Sequence, residues 1–183
     1  MRRIFLLIWT IATCALVLMA PFTTACARSI VKGRVVDLDT GKAIEKAAIY
    51  IHWWKVKGIP GLWHSEDVES AETVTDDQGG FEIPEYSTLS NEFTMAVYKM
   101  GYVCWSSEAI FPSYEKRKDF SLRDGMIIKL EQFSDKYSRE KHADFVDAAA
   151  TWSRGVFLEA TKPERQLLYD LIRNKTKEQE GLK

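Results

Sequence analysis

Apolar positions between residues 29 and 133 recur with a period of two. Val31, Gly33 and Val35 alternate with Lys32 and Arg34, which predicts a strand with one face on a core. The alternation resumes from Ala47 to Trp54. Ala47, Ile49, Ile51 and Trp53 form one face there, and Ala48, Tyr50, His52 and Trp54 the other. Ala71–Thr75, Phe81–Pro84, Phe93–Tyr98, Tyr102–Phe111 and Met126–Glu131 read as further strands. Asp39-Thr40-Gly41-Lys42 and Asp76-Asp77-Gln78-Gly79-Gly80 supply turns. Lys55–Ser70 contains Gly58, Pro60 and Gly61, has no clean period and is expected to be a long loop. Seven short strands with frequent turn signals predict a mainly β chain folded as an antiparallel β-sandwich.

After Phe133 the period lengthens. Phe145, Ala149, Trp152 and Val156 fall on one helical face. Thr161-Lys162-Pro163-Glu164 carries the signature of a helix start, with Thr as N-cap, Pro in the first turn and Glu at the third position. Leu167, Leu168, Leu171 and Ile172 make a second apolar stripe. Two helices are expected, about 138–158 and 162–178, forming a two-helix C-terminal appendage over residues 134–183. Both stripes, and the outer stripe Tyr50, His52 and Trp54, would be hidden if the helices packed over that sheet face.

The first 27 residues read as an address. Arg2 and Arg3 precede an apolar run from Ile4 to Ala20, and small residues follow Pro21, as in a secretory signal. The run is short for a transmembrane helix, which needs ~20 residues. Two cuts fit. One falls after Ala25-Cys26-Ala27, leaving Arg28 first. The other falls before Cys26, since Thr23-Thr24-Ala25-Cys26 resembles a bacterial lipobox, whose cysteine is lipidated. Thr23 departs from the aliphatic residue usual in that motif. The expected location is therefore the periplasm or outer cell envelope, with Cys26 a candidate lipid anchor. Either cut removes Cys14 and leaves Cys104 as the one free thiol of the mature chain. It lies in an apolar run and reads as a packed residue.

Composition narrows the function classes. The 183 residues contain 25 basic and 26 acidic side chains, for a net charge of -1. Nucleic-acid binding would leave a basic surplus. The three histidines, His52, His64 and His142, are scattered, and no H-E-x-x-H or C-x-x-C is present. Asp76 and Asp77 lack the rest of a calcium loop, and no G-x-S-x-G elbow occurs. No catalytic residue, metal ligand or cofactor site is therefore assigned.

Five stretches occur in a telling order. They are Gly33-Arg34-Val35-Val36-Asp37, Thr40-Gly41-Lys42-Ala43-Ile44, Lys46-Ala47-Ala48-Ile49, Thr75-Asp76-Asp77-Gln78-Gly79-Gly80-Phe81 and Met100-Gly101-Tyr102. Together they resemble the carboxypeptidase regulatory-like domain, over about residues 29–132, within an expected sandwich domain of 28–133. Ala43 replaces the family's usual Pro, and Lys46 its usual Gly. The resemblance implies a transthyretin-like, prealbumin-like β-sandwich and a non-catalytic accessory module, with no active site carried over.

The aromatic residues supply the remaining clue. Trp53, Trp54 and Trp63 cluster around the expected long loop, beside Tyr50 and His52. Exposed aromatic rings stack on sugars or anchor protein partners. Two functions follow. One is a non-catalytic envelope interaction or scaffolding module whose partner is an envelope protein. The other is a glycan-binding module using Tyr50, His52, Trp54 and Trp63.

Overall fold

The computed structural model describes residues 29–59, 61–86 and 91–181. The expected signal segment, with Cys26, lies outside the described residues. Nine strands precede two helices there. The strands are β1 (Ile30–Asp37), β2 (Ala48–Ile59), β3 (Leu62–Val74), β4 (Gly80–Pro84), β5 (Asn91–Tyr98), β6 (Trp105–Ser106), β7 (Ala109–Ile110), β8 (Glu115–Lys116) and β9 (Met126–Leu130). The helices are α1 (Arg139–Ala149) and α2 (Val156–Gly181).

Seven of the strands make two facing sheets, in the orders β4-β1-β9 and β3-β2-β5-β6, and β7 and β8 pair separately. The chain is thus a mainly β sandwich with two C-terminal helices. The alternation in β1 and β9 turns Val31, Val35, Met126, Ile128 and Leu130 inward. They meet Ile49, Ile51, Trp53, Met95 and Val97 of the second sheet in one core. Gly33 permits this closure. A Cβ there would lie 2.4 Å from the Phe81 ring and 3.0 Å from Met126.

Thr40 and Tyr102, from two of the quoted stretches, meet Gln132 at Asp37, which is buried. Its carboxylate accepts hydrogen bonds from Gln132 Nε2 and from the Thr40 amide and hydroxyl, each at 2.8 Å, and from the Tyr102 hydroxyl at 3.2 Å. These bonds, that from Gln132 foremost, hold the carboxyl far below the usual range.

Several expectations need correction. The sandwich is not wholly antiparallel, because β1 and β9 pair in parallel. They are separated by most of the sandwich sequence, so no tight hairpin dictates their direction. Lys55–Ser70 is not a loop. It forms the outer half of β2 and most of β3, in one long antiparallel ribbon. Beyond Lys55 this ribbon leaves β5, and its residues are mostly exposed on both faces. Two solvated faces leave no apolar period to read. A register shift at Trp53/Trp54 breaks the alternation further. The expected strand Ala71–Thr75 is the end of β3. Tyr102–Phe111 holds only the two-residue strands β6 and β7, split where the Ser106 hydroxyl accepts from the Glu108 amide.

The helix boundaries also move. Ser138 caps α1 through a bond from the Lys141 amide, but α1 ends at Ala149. Trp152 and Val156 therefore do not continue the face of Phe145. Thr161 is no N-cap. It is buried inside α2, and its hydroxyl donates to the Phe157 carbonyl at 2.9 Å. The start of α2 is instead capped from the sheet. The Glu72 carboxylate of β3 accepts from the amides of Arg154, Gly155 and Phe157 at 2.7–2.9 Å.

The outer face of the second sheet lies under these helices. Ala48, Tyr50, Ala96 and Tyr98 pack with Phe145, Val146, Ala150 and Phe157 in a second apolar cluster. Residues Ala48 to Trp53 are buried on both faces for this reason.

Candidate functional site

The helices cover only part of the outer stripe, and the candidate site is where the cover ends. Strand β2 presents Ala48, Tyr50, His52 and Trp54 in turn on its outer face. Tyr50 lies beneath α2, with its ring centroid 5.8 Å from that of Phe157. It is 1% exposed, so the expectation that Tyr50 contacts a partner is not met. Burial first, and the nearby Glu72 and Asp67 charges after it, push its phenol well above the ordinary value.

His52 sits at the edge of the cover and is 7% exposed. Its ring lies between two tryptophans. The Trp54 centroid is 5.7 Å away with the planes tilted by 34°, and the Trp152 centroid is 6.0 Å away at 30°. Its Nε2 is 3.2 Å from Asp67 Oδ1, which fixes the ring on the strand opposite. Beyond this row opens a groove of about 370 Å³. Trp54 and Trp152 are its aromatic wall, and Asp67, Glu108, Thr94 and Tyr114 bring polar groups to its lining.

The four sequence-derived contact residues do not form one surface. Tyr50 is buried and His52 nearly so, while Trp54 borders the groove. Trp63 pairs with Gly58 near the ribbon tip, four residues beyond Trp54 on β2, or ~13 Å. Trp152 was assigned to a helical stripe in the sequence. In the fold it is 57% exposed and follows α1 in a turn. The signal for this was Gly155, three residues later, which interrupts the helical run. A Cβ at Gly155 would approach Glu72 Oε2 to 2.8 Å.

Cys104 is buried, and its thiol is pushed up by burial and, after that, by Glu164. Its amide donates to His142 Nε2 at 3.0 Å. That bond makes Nε2 an acceptor and places the proton of a neutral ring on Nδ1. The contact joins α1 to the segment that leads into β6. Among the described residues, no three His, Cys, Asp or Glu side chains gather to hold a metal ion. No helix among them is long and apolar enough to cross a membrane.

No protein-family model matches the chain, and no curated protein is significantly similar to it. Some solved structures share a partial likeness. A Streptococcal ancillary pilin is 18% identical with a TM-score of 0.31, over 58% of this chain and 30% of that one. This chain thus spans under a third of the pilin's length. The C-terminal domain of the shaft pilin SpaA from Lactobacillus rhamnosus GG is 12% identical with a TM-score of 0.33, over 57% and 97%. A 9R-lipoxygenase from Cyanothece PCC8801 is 15% identical with a TM-score of 0.30, over 68% and 23%.

Proposed function

We propose that this chain is a non-catalytic, exported cell-envelope binding module that takes a saccharide ring in the groove beside His52. The observation that carries the reading is the row Trp54–His52–Trp152 with carboxylates in the same groove. A sugar ring offers an apolar C–H face and a rim of hydroxyls. Aromatic walls suit the face, and Asp67 and Glu108 can accept from the hydroxyls. The non-catalytic reading is supported by the burial of Cys104 and by the resemblance to the carboxypeptidase regulatory-like domain. Export is supported by the basic start and apolar run before Pro21.

The test titrates the purified chain with soluble peptidoglycan fragments and neutral oligosaccharides while following tryptophan fluorescence and heat. Binding should be saturable, and Trp152→Ala should weaken it by about tenfold or more, as for an aromatic anchor. Trp63→Ala, outside the groove, should leave it unchanged. Absence of binding to any glycan, or full affinity in Trp152→Ala, refutes the saccharide reading and leaves an envelope protein as the partner class.

A further inference from the structure

The ribbon of β2 and β3 ends in apolar side chains that the rest of the fold does not cover. Ile59 is 65% exposed, Leu62 72% and Trp63 60%. Ile59 pairs with Leu62, and Gly58 with Trp63. Neighbouring residues of a strand point to opposite faces. Ile59 and Leu62 therefore occupy one face of the tip, and Trp63 the other. A flat protein partner would cover one of these faces and leave the other wet, whereas an acyl layer covers both.

The position of the tip adds a second argument. Ile30 opens β1 opposite Pro84, and the Glu85 amide bonds the Ser29 carbonyl. Tyr86, one residue on, stacks edge-on against Trp53 at 5.0 Å. The chain thus enters the sandwich at the end where β2 leaves it. The ribbon projects from that same end. Lys55 is the last β2 residue paired with β5, and Ile59 follows four residues later, or ~13 Å. Cys26 stands four residues before Ile30, so an extended tether from it also reaches ~13 Å. A lipid attached there and the ribbon tip can meet one membrane plane.

Charge does not oppose this. Lys57 is ion-paired with Glu66, and Lys55 reaches the same carboxylate at 3.7 Å. From Lys55 to Ser70 the ribbon carries Lys55 and Lys57 against Glu66, Asp67 and Glu69, a net charge of -1, with the two ammonium groups where headgroups would lie.

We propose that the β2–β3 ribbon is a membrane-contacting arm, whose Ile59, Leu62 and Trp63 seat in the headgroup–acyl boundary of the bilayer that holds the N-terminus. This inference rests on the reading in which the export signal ends at Ala25 and Cys26 carries the lipid. Trp63 is the type of side chain that favours this boundary.

The experiment uses the chain as purified from the envelope, with vesicles of phosphatidylethanolamine and phosphatidylglycerol carrying brominated acyl chains. Bromine quenches tryptophan only at the acyl level. Wild type should be quenched, and Trp63→Phe should lose most of that quenching. Ile59→Ser with Leu62→Ser should lose it too. A chain beginning at Arg28 should in addition partition onto vesicles about tenfold more weakly with those two changes. Mass spectrometry of the same sample reads the N-terminus independently, so failure of the anchor and failure of the arm are separate results. The melting temperature checks that the serine variant is folded, and Trp63→Phe gives a readout that does not depend on it. No quenching in wild type overturns the proposal, as does equal quenching in Trp63→Phe. Vesicle-free dimerisation abolished by the serine changes would also overturn it, making a second copy the occupant.

Discussion

The carboxylate of Glu72 and the amide of Phe157 meet at 2.8 Å across 85 residues of sequence. Glu72 pairs directly with Tyr50 in the β2–β3 register, and Tyr50 carries the Phe157 ring. One strand position therefore aligns an acceptor with the start of α2 while its neighbour supplies the surface on which α2 rests. The free amides and partial positive charge of a helix start favour a carboxylate there.

Glu72→Ala should remove this cap. A lost cap costs ~1–2 kcal/mol, which lowers the melting temperature of a chain this size by ~3–6 °C. Glu72→Gln keeps an acceptor oxygen and should lose less. Hydrogen exchange should speed up first at Gly155 and Phe157. Exchange unchanged there in Glu72→Ala would show that the cap contributes nothing.

Asp37 sets an acid limit on the sandwich. Its carboxyl titrates far below the usual range in the folded chain, held there by Gln132, Thr40 and Tyr102. A group lowered by folding contributes stability above its unfolded value, about 3.9, and loses it as pH falls through that value towards the folded one. Wild-type melting should therefore drop steeply below about pH 4. Asp37→Asn should melt lower at neutral pH and show a shallower acid slope. Parallel slopes for the two proteins would remove Asp37 from the acid transition.

What was legible followed burial. Strand β1 has one face inside and one in water, so Val31 and Val35 announce it by alternation. The ribbon from Lys55 onward has no buried face, and nothing in Val56 or Ser65 distinguishes a paired strand from a loop. Main-chain pairing holds it, and that leaves no mark on side-chain type. The start of α2 failed differently. Thr161 with Pro163 and Glu164 imitates an N-cap, but the true cap is Glu72, distant in sequence and visible only once β3 is in register. The groove stayed hidden for the same reason, since Trp152 joins His52 and Trp54 only after the helices dock. The docking of helices over Tyr50 was nevertheless foreseeable, because an aromatic outer stripe on a strand needs a cover.

Gly33→Ala should expose the tightness of the inter-strand contact. The new methyl would fall 2.4 Å from Phe81 Cζ, and Phe81 is 5% exposed in the core. Overpacking of this kind costs ~1–3 kcal/mol. Phe81→Leu shortens the obstructing ring, so the double variant should lose less stability than the sum of the two single ones. Strict additivity in urea denaturation would mean that the ring moves aside freely.

Removal of the tail after Phe133 tests the second cluster. Phe145 and Phe157 are 3% and 0% exposed, and truncation removes them while uncovering Tyr50 and Tyr98. Each large apolar side chain contributes roughly 1.5–3 kcal/mol by burial. One effect runs the other way. The Tyr50 and Tyr98 hydroxyls are buried and make no hydrogen bond among the described residues, at a cost of ~1–3 kcal/mol each, and truncation returns them to water. Loss of apolar burial at both aromatic layers, with Ala48, Ala96 and Val146 besides, outweighs that relief. The truncated chain should melt lower and bind a hydrophobic dye. The tyrosines give the sharper readout. Burial holds both phenols well above the ordinary value of 10.0, so in the intact chain they should stay protonated while exposed tyrosines ionise. Because truncation also removes Tyr137 and Tyr169, each chain is titrated in the ultraviolet against its own Tyr50→Phe, Tyr98→Phe variant, and a difference of two phenolates near pH 10 should appear in the truncated chain and be absent from the intact one. The same two-phenolate difference in the intact chain, with a melting temperature unchanged by truncation, would show that the helices do not rest on this sheet in solution.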